Sequence, residues 1–592
     1  MASTDIQPQT AAAGSVGESN RDLSLVFGPD KPELLIRPLG SLVDEQAETF
    51  SARCAVSVPW QSARLSYQDL ADRSKVMAKA MLAMGLRHGD RVGIMAGNCY
   101  QYIEVFLGGA RIGCPVVVIN NTFAPDELEA AIHRVNCKLV FVASAIGHRT
   151  LEDHVNRLLH LHKPESLFAR LVIIGDLIGD PKNKIKVQSY EDFLGSSESS
   201  VAEDDLREAE TQVLPSDVLN LQFTSGTTGM PKAASLTHIN LINNARFNGN
   251  SMRLTKDDVV CCPPPLFHCF GLAMGFLAAF SYGSTIVFPS DTFNPQMVMD
   301  AVVSEKATAL LGVPTMFIAE LDVLEKSPVK IDTIRTGLAA GSPVPKVLME
   351  KLRKRMNIQG MLIAYGMTET SPVTFITSLD DSEEKMHNSI GRVFPHTGAK
   401  VIDIDGNTVP IGVRGEICTS GFALQRGYWE DEAKTAEVMK SDENGIRWMH
   451  TGDEGYIDEE GYGHITGRIK DIIIRGGENI SPNDIENRLL SHPHIAESCV
   501  VGLEDYKYGE VVSCFLKASC HPEKRPSDDE VRAWVREHLG RVKSPEHIFW
   551  MGDKEVGHDL PKTGSGKYQK HLIRDIGNAI LKKKRMGVTA KL

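Results

Sequence analysis

The chain has 592 residues, too many for one hydrophobic core, so at least two domains are expected. Hydrophobic residues make up 42% of it and charged residues 24%, as in an ordinary globular protein. The formal net charge of −12 argues against a nucleic-acid partner, because basic residues cluster only near the end of the sequence. Apolar runs stay below the roughly 18 residues that a membrane span needs, so no membrane span is predicted.

The first residues and the cysteines set expectations about cellular location. The first twenty residues contain no lysine or arginine, so they fit neither a secretory signal nor an Arg-rich transit peptide. Residues 1–45 are predicted to be a disordered leader. The eleven cysteines lack paired metal-ligand spacing, which indicates thiols of a reducing compartment.

Strands and helices alternate regularly from about residue 65. Ser66, followed by Asp69, can cap a helix that ends near Gly85. The next segments are predicted to be a strand at 91–95, a helix at 101–112, a strand at 115–119, a helix at 125–135 and a strand at 139–143. This alternation predicts an α/β fold with a parallel sheet covered on both faces.

The later part of the chain changes character twice. Residues 388–467 contain short β-like runs broken by Gly and Asp, which predicts a small barrel or sheet attached to the α/β body. From about residue 471, strands at 498–501 and 511–518 and a helix near 528–540 are predicted. This last segment is long enough to form a separate small α+β domain.

One stretch combines the features of a phosphate-holding loop. It reads Thr224-Ser-Gly-Thr-Thr-Gly-Met-Pro-Lys232 and is predicted to lie between a strand at 219–223 and a helix at 237–248. Glycines permit close backbone approach, hydroxyls and peptide N–H groups can surround phosphate oxygens, and Lys232 adds a mobile cation. A flexible linker has the same composition, and the stretch lacks the Gly-Lys-Ser/Thr of a P-loop.

Four further motifs follow downstream. They are Tyr365-Gly-Met-Thr-Glu-Thr370, Thr451-Gly-Asp453, Gly467-Arg-Ile-Lys-Asp471 with Arg475-Gly-Gly-Glu-Asn-Ile480, and Leu560-Pro-Lys-Thr-Gly-Ser-Gly-Lys567. Each has an ordinary alternative, namely a helix cap, an Asp turn, a hairpin turn and a solvated lysine.

In this order the five motifs resemble those of the AMP-forming adenylating enzymes, the superfamily of acyl-CoA synthetases, peptide-synthetase adenylation domains and luciferases. The resemblance extends over about residues 50–575 and is greatest to medium-chain fatty acyl-CoA synthetases. It departs at Ala233 and Tyr568, where many relatives have Gly and Ile.

The resemblance implies an ATP-dependent acyl-CoA ligase. The enzyme would adenylate a carboxylic acid, a medium-chain or short modified fatty acid, and transfer the acyl group to coenzyme A with release of AMP and pyrophosphate. It also implies a large N-terminal AMP-binding domain, residues 46–469, in which parallel-sheet α/β subdomains adjoin the small β-barrel. A mobile C-terminal α+β domain, residues 470–592, would rotate about a hinge at Lys470 between the two half-reactions.

Residue roles transfer motif by motif. The resemblance assigns adenine stacking to Tyr365 and the ribose hydroxyls to Asp453 and Arg468. It assigns catalysis to Lys567, Thr368 and Glu369, of which Glu369 would also hold Mg²⁺. The full ATP-binding set is Thr224, Ser225, Gly226, Thr227, Thr228, Gly229, Lys232, Tyr365, Gly366, Thr368, Asp453, Arg468 and Lys567. The acyl group is assigned to His268, Ala340, Gly341 and Ser342, and coenzyme A to Gly476, Gly477 and Glu478.

Alternatives remain open at this point. A peptide-synthetase module would normally adjoin a carrier domain and place an Asp early in the stretch 263–271, which contains no acidic residue here. A luciferase-like oxygenase, or a stand-alone adenylating enzyme with another acceptor, would share all five motifs. A non-catalytic acyl-nucleotide sensor would not need every catalytic position, and all of them are filled.

The last three residues, Ala590-Lys-Leu592, resemble the Ser-Lys-Leu peroxisomal address. They predict a peroxisomal enzyme that the peroxisomal import receptor recognises, with the cytoplasm as the fallback location. A chance tripeptide on a solvated basic tail is the alternative.

Overall fold

The computed structural model describes residues 22–160, 170–178, 187–195, 201–224, 232–341, 344–519, 525–563 and 567–589. The strands are β1 (Leu25–Phe27), β2 (Cys54–Val58), β3 (Ala63–Ser66), β4 (Arg91–Met95), β5 (Val116–Val118), β6 (Cys137–Ala143), β7 (Ala145–Ile146), β8 (Arg149–Thr150), β9 (Arg170–Ile174), β10 (Val187–Ser189), β11 (Val218–Thr224), β12 (Lys232–Thr237), β13 (Val259–Cys261), β14 (Thr285–Val287), β15 (Ala309–Gly312), β16 (Thr336–Ala340), β17 (Gly360–Gly366), β18 (Val373–Ile376), β19 (Arg392–Val393), β20 (Thr397–Ile402), β21 (Gly415–Gly421), β22 (Met439–Ser441), β23 (Arg447–Ile457), β24 (Gly463–Arg468), β25 (Ile473–Arg475), β26 (Glu478–Ile480), β27 (Ile495–Asp505), β28 (Gly509–Ala518) and β29 (His547–Trp550). The helices are α1 (Leu39–Phe50), α2 (Tyr67–Ala83), α3 (Tyr100–Arg111), α4 (Pro125–Val135), α5 (Glu152–His160), α6 (Tyr190–Gly195), α7 (Glu203–Thr211), α8 (His238–Ser251), α9 (Ala278–Ser281), α10 (Pro295–Ser304), α11 (Pro314–Lys326), α12 (Lys346–Met356), α13 (Glu383–Asn388), α14 (Glu432–Val438), α15 (Pro482–Leu490), α16 (Asp528–Leu539) and α17 (Lys570–Thr589).

The first sheet has seven strands in the order β10-β9-β6-β4-β5-β11-β12. Its first six strands are parallel, and β12 runs antiparallel to β11. Ser66 and Asp69 make the predicted capping box at the start of α2, and Gly85 adopts a φ of +85° just after its end. The predicted alternation of strands and helices around a parallel sheet is therefore confirmed.

The surroundings of the phosphate-loop stretch differ from the prediction. The stretch connects β11 to the antiparallel strand β12 and does not lead directly into a helix. Residues 233–236 pair with β11 and are buried, because their small and apolar side chains belong to the sheet core. Helix α8 begins only after β12, with Thr237 as its N-cap.

The second sheet has nine strands in the order β19-β18-β17-β16-β15-β13-β14-β2-β3. Its central strands, from β17 to β2, pair in parallel, whereas the pairings of β17 with β18, of β18 with β19 and of β2 with β3 are antiparallel. Ala340 ends β16 and Gly366 ends the neighbouring parallel strand β17. The predicted acyl and nucleotide motifs thus leave the sheet at the same carboxyl-terminal edge, where ligands commonly bind in such sheets.

The third sheet is antiparallel and has six strands, in the order β1-β20-β21-β23-β22 with β24 also beside β23. This is the predicted small barrel or sheet. It is open in the described part of the chain, where its edge strands β1 and β22 do not pair with each other.

The prediction of a disordered leader over residues 1–45 is wrong for its second half. Strand β1 pairs with β20, and α1 begins at Leu39. Leu39, Leu42 and Val43 recur at helical spacing and are buried, so they have a core to pack into. Residues 1–21 lie outside the described residues.

The C-terminal segment forms its own five-stranded sheet, β26-β25-β28-β27 with β29 parallel to β28. Helices α15, α16 and α17 complete the predicted small α+β domain. The expected hinge residue, Lys470, lies in the helical turn Ile469–Asp471, between the last strand of the third sheet and the first strand of this one. Within the described ranges, no helix has the length and apolar character needed to cross a bilayer.

Candidate active site

The two ends of the phosphate-loop stretch are held together by the sheet. Thr224, the last residue of β11, pairs directly with Lys232, the first residue of β12. The Lys232 ammonium lies 4.8 Å from the centre of the Tyr428 ring, a cation–π contact. The middle of the loop, with Ser225, Gly226, Thr227, Thr228 and Gly229, lies outside the described residues.

Asp453 lies between two of the predicted nucleotide-binding side chains. The Tyr365 hydroxyl donates to Asp453 Oδ2 at 2.6 Å, and Arg468 Nε lies 2.7 Å from Asp453 Oδ1. Burial raises the pKa of Asp453, while the Arg468 charge and the Tyr365 hydrogen bond oppose that rise without cancelling it. The structure thus brings together the three side chains assigned to adenine and ribose, and both carboxylate oxygens point at hydrogen-bond donors.

The predicted metal ligand Glu369 is only 5% exposed. Its Oε1 accepts a hydrogen bond from the Tyr428 hydroxyl at 2.8 Å, and its backbone carbonyl accepts one from the Gln425 N–H at 2.8 Å. A single buried carboxylate suits Mg²⁺, which usually keeps several waters and takes further oxygen ligands from phosphates. The donor set therefore fits a Mg²⁺ that arrives with ATP.

The turn before Glu369 has a steric requirement for glycine. A Cβ at Gly366 would lie 1.9 Å from the Pro372 carbonyl oxygen, which is far closer than any van der Waals contact. This close approach folds the chain back on itself and leaves Thr368, Glu369 and Thr370 in one helical turn. The Thr and the Glu of the motif are therefore presented from the same turn.

Lys567 reaches this site from the small domain. Its Cε lies 3.4 Å from where a Cβ of Gly341 would be, so the lysine stem rests on the loop after β16. Burial and the Arg468 charge lower the pKa of Lys567, and the carboxylates of Asp453 and Glu369 counteract this. An ammonium group from one domain is thus placed among the nucleotide-binding residues of the other.

The predicted acyl-binding residues lie on the same side of the site. Burial and the Lys567 charge lower the pKa of His268 to about 3, so its ring is neutral near pH 7. The Phe270 N–H donates to His268 Nδ1 at 3.1 Å, which places the ring proton on Nε2. Ala340 is buried and Gly341 has a φ of +92°, while Ser342 lies outside the described residues.

The predicted coenzyme A loop is a tight hairpin on the small domain. Gly476 and Gly477 have φ values of +59° and +91° and join β25 to β26, and Glu478 begins β26. Two consecutive positive φ values are typical of a type I′ turn, so the hairpin alternative and the binding role are compatible. All three residues are exposed. The structure therefore places Lys567, and not this loop, against the large domain at Gly341.

A hydrogen-bond network that the sequence did not reveal supports the turn before Asp453. Glu416 Oε2 lies 2.9 Å from His450 Nδ1, and Glu416 Oε1 accepts a hydrogen bond from the Gly452 N–H at 2.9 Å. Burial raises the pKa of Glu416, but these hydrogen bonds outweigh it and hold the pKa below its ordinary value. An ionised Glu416 thus fixes the backbone next to the predicted ribose ligand.

Glu416, Cys418 and His450 together have ligand atoms within 4.8 Å of one another. The carboxylate and the imidazole already bind each other, and Lys400 and Lys440 act on Cys418 as nearby positive charges. Positive charges disfavour a bound cation, so we interpret the group as structural support.

Tyr428 is another site residue that sequence reasoning missed. It hydrogen-bonds to Glu369 across 59 residues of sequence and stacks under Lys232, so it joins two of the predicted motifs. Its local sequence, Gly427-Tyr-Trp429, lies in the β-rich segment and carries no sign of phosphate or metal chemistry.

Comparison with known proteins agrees with this geometry. The model of the AMP-binding enzyme family matches residues 43–429, and that of the AMP-binding enzyme C-terminal domain matches residues 484–567. The chain therefore belongs to the AMP-binding enzyme family. The predicted membership of the AMP-forming adenylating superfamily is confirmed.

Individual relatives narrow the class. Acyl-CoA ligase sidI of Aspergillus fumigatus is 46% identical over 96% of this chain and 96% of its own length. The mitochondrial medium-chain acyl-CoA ligase ACSF2 of Danio rerio is 34% identical over 93% of this chain and 90% of its own length. Among solved structures, the anthranilate CoA ligase AuaEII shares the fold with a TM-score of 0.78 at 20% identity, covering 91% of this chain and 97% of its own. The predicted enzyme class, an AMP-forming acyl-CoA ligase, is confirmed, whereas the roles of single residues stay predictions.

Proposed function

We propose that this protein is an ATP-dependent acyl-CoA ligase that adenylates a medium-chain or short modified fatty acid and passes the acyl group to coenzyme A. The observation that carries the proposal is the position of Lys567. It projects from the small domain onto Gly341, within the electrostatic reach of Asp453, Arg468 and Glu369. A cation placed there can bind a substrate carboxylate and the α-phosphate at once.

In the first half-reaction, an oxygen of the substrate carboxylate attacks the α-phosphorus of ATP, and the bond to the pyrophosphate oxygen breaks. Asp453, Arg468 and Tyr365 would hold the nucleoside, and Lys232 would follow the charge on the phosphates. Lys567 would draw the carboxylate to the phosphorus and stabilise the negative charge of the transition state. Glu369 would hold Mg²⁺, which neutralises phosphate charge when bound.

In the second half-reaction, the thiolate of coenzyme A attacks the acyl carbonyl, and AMP leaves. The exposed hairpin of Gly476 and Gly477 would line the path of the pantetheine arm after the small domain rotates about Lys470. Lys567 leaves the site in that rotation, so the two half-reactions use different faces of the small domain.

Two features support a fatty acid as the substrate. The stretch 263–271 contains no carboxylate that could hold the amine of an amino acid, and it begins with three prolines and an apolar pair. The neutral ring of His268 adds no charge at the predicted acyl site. The relatives named medium-chain acyl-CoA ligases, at 31% to 34% identity, favour an acid of that size.

The test is ATP–pyrophosphate exchange with purified protein across a panel of carboxylic acids, followed by coenzyme A consumption with the acids that exchange. Exchange with medium-chain acids together with thioester formation is expected. Exchange without use of coenzyme A would favour another acceptor, and light emission with a luciferin would favour an oxygenase.

We also propose that the enzyme works in the peroxisome, with the cytoplasm as the fallback. The proposal rests on the tripeptide Ala590–Leu592, which lies outside the described residues and would need to be the free end of the protein. Imaging of an N-terminally tagged protein that ends at Leu592, with and without the tripeptide, is the test. Peroxisomal signal from the complete form alone is expected, and the same cytosolic signal from both would exclude this address.

A further inference from the structure

Lys567 lies in a short hairpin whose two stems are tied together, and it is the first described residue after the tip. The Thr563 N–H donates to the Lys567 carbonyl at 2.7 Å, and the Lys567 N–H donates to Thr563 Oγ1 at 3.1 Å. One residue further out, Lys562 and Tyr568 form an antiparallel bridge. Between the stems the sequence is Gly-Ser-Gly, and these three residues lie outside the described ones. The position of the Lys567 ammonium therefore depends on how the stems are anchored.

A single carboxylate anchors both stems. Glu497 lies on β27, and its side chain is only 14% exposed. Its Oε2 accepts hydrogen bonds from the Lys562 ammonium, at 2.8 Å, and from the Tyr568 hydroxyl. Its other oxygen, Oε1, binds Lys517 of β28 at 2.7 Å. One oxygen thus holds the hairpin, and the other is tied to the sheet.

The three hydrogen bonds to the Glu497 carboxylate are strong because that group is charged. Charge-assisted hydrogen bonds are about twice as strong as neutral ones, and three of them converge on this carboxylate. Burial raises the pKa of Glu497, but its three donors lower it to about 2, so the group is ionised throughout the physiological range. The Lys562 ammonium also lies 4.7 Å from the centre of the Tyr568 ring, which couples the two stems directly.

We propose that Glu497, through Lys562 and Tyr568, is a positioning residue that sets where Lys567 stands in the adenylation half-reaction. This rests on the proposed function, in which Lys567 acts at the carboxylate and α-phosphate. Tyr568, where many relatives have Ile, contributes to this anchor, because its hydroxyl donates to the Glu497 carboxylate and an isoleucine has no donor. Glu497 does not touch the reacting atoms, and it is not needed once the small domain has rotated.

The chain offers a matched pair of variants for the test. Lys562→Gln and Lys517→Gln each remove one lysine from the same carboxylate, but only Lys562 belongs to the hairpin. Lys517 also interacts electrostatically with Asp322 on α11 of the large domain. Lys517→Gln therefore also controls for a change in how the two domains contact each other. Pyrophosphate exchange measures adenylation, and thioester formation from pre-made acyl-adenylate measures the second step.

We expect Lys562→Gln to slow adenylation by about 10-fold to 10²-fold, the cost of displacing a catalytic group by up to about 1 Å. Thioester formation should stay within about twofold of wild type, and Lys517→Gln should leave both steps near wild type. Glu497→Gln and Tyr568→Phe should share the adenylation defect. Equal effects of the two lysine variants, or equal loss in both half-reactions, would overturn the proposal.

Hydrogen exchange of the full chain gives a readout that does not depend on the reaction. The amides of Thr563 and Lys567 should exchange faster in Lys562→Gln and Glu497→Gln, and at the wild-type rate in Lys517→Gln. Unchanged exchange in the first two variants would overturn the anchor itself. If the wild type exchanged no pyrophosphate with any acid but the amides responded as expected, the proposed function would fail while the anchor stood.

Discussion

At the residue scale, the surroundings of Lys567 disfavour its positive charge. Its ammonium sits among buried groups, where keeping a charge costs free energy, and the carboxylates of Asp453 and Glu369 only partly offset this cost. A bound carboxylate and α-phosphate would add negative charge directly beside it. The ammonium is therefore stabilised most when the negative charge of the transition state develops, which is the condition for catalysis.

Replacing Lys567 by alanine should separate the two half-reactions. We expect adenylation to fall by about 10²–10³, or roughly 3–4 kcal/mol, because one preorganised charge contact is lost. Thioester formation from pre-made acyl-adenylate should be nearly unchanged, since the lysine is needed only in the first step. Single-turnover assays of each step measure this, and an equal loss in both would contradict the rotation of the small domain.

The lowered pKa of Lys567 predicts a shift in the alkaline limb of the pH profile. Adenylation needs the protonated amine, and a pKa below the ordinary value of about 10.4 means that the proton is lost earlier as the pH rises. As the pH rises, the rate of pyrophosphate exchange should therefore begin to fall before the pH reaches that ordinary value. In Lys567→Arg, whose guanidinium stays charged, the residual exchange should lack this decline, and an identical limb in both proteins would assign it to another group.

Glu369→Gln should weaken the dependence on Mg²⁺. The substitution removes a carboxylate charge but leaves an oxygen that can still accept from the Tyr428 hydroxyl, so the turn should keep its shape. We expect lower turnover and a metal titration displaced to higher concentration. Tyr428→Phe is the control, because it removes the same hydrogen bond without touching the carboxylate. A normal titration in Glu369→Gln would make Glu369 a structural residue.

At the element scale, strand β12 and helix α8 are the two elements that follow the phosphate loop in the chain. Pairing of β12 with β11 fixes where Lys232 starts, and the capping box of Thr237 and Asn240 begins α8 directly afterwards. Thr237 Oγ1 accepts from the Asn240 N–H at 3.2 Å, and Asn240 Oδ1 accepts from the Thr237 N–H at 2.8 Å. The loop is thus framed by a strand on one side and a capped strand-to-helix junction on the other.

Thr237→Ala should destabilise the large domain by about 1 kcal/mol, the usual cost of losing an N-cap side chain. Thr237→Ser keeps the oxygen and should restore most of that stability. Thermal unfolding of the three proteins at one concentration gives the comparison. A serine variant as unstable as the alanine variant would mean that the methyl group, and not the cap, accounts for the loss.

At the scale of the whole molecule, the small domain has a core of its own. Its two hydrophobic clusters draw only on residues 473–581, and they cover the two faces of its sheet with α15 and α16 on one side and α17 on the other. At the active site, Lys567 of this domain contacts Gly341 of the large domain. This arrangement allows a domain to rotate without losing its fold.

A fragment of residues 470–589 should therefore fold by itself. We expect a cooperative unfolding transition and dispersed amide signals in solution, because the fragment keeps both of its clusters. ATP should raise the unfolding temperature of the full chain but not that of the fragment, which lacks Asp453 and Glu369. A fragment without a cooperative transition would show that the small domain depends on the large one.

The sequence by itself determined those features that depend on residues close together in the chain. The capping box at Ser66, the alternation of strands and helices from residue 65 and the order of the five motifs could all be read directly, because each depends on neighbours within a few residues. Strand β12 was missed, since a short run of small residues looks the same in a loop and in a sheet. Only tertiary structure decided which distant groups meet: Tyr365 with Asp453, 88 residues apart, Tyr428 with Glu369, 59 apart, and Glu497 with Tyr568, 71 apart. Such pairs form because burial in a common core leaves polar atoms no other partners, and that condition is a property of the folded chain and not of any stretch of it.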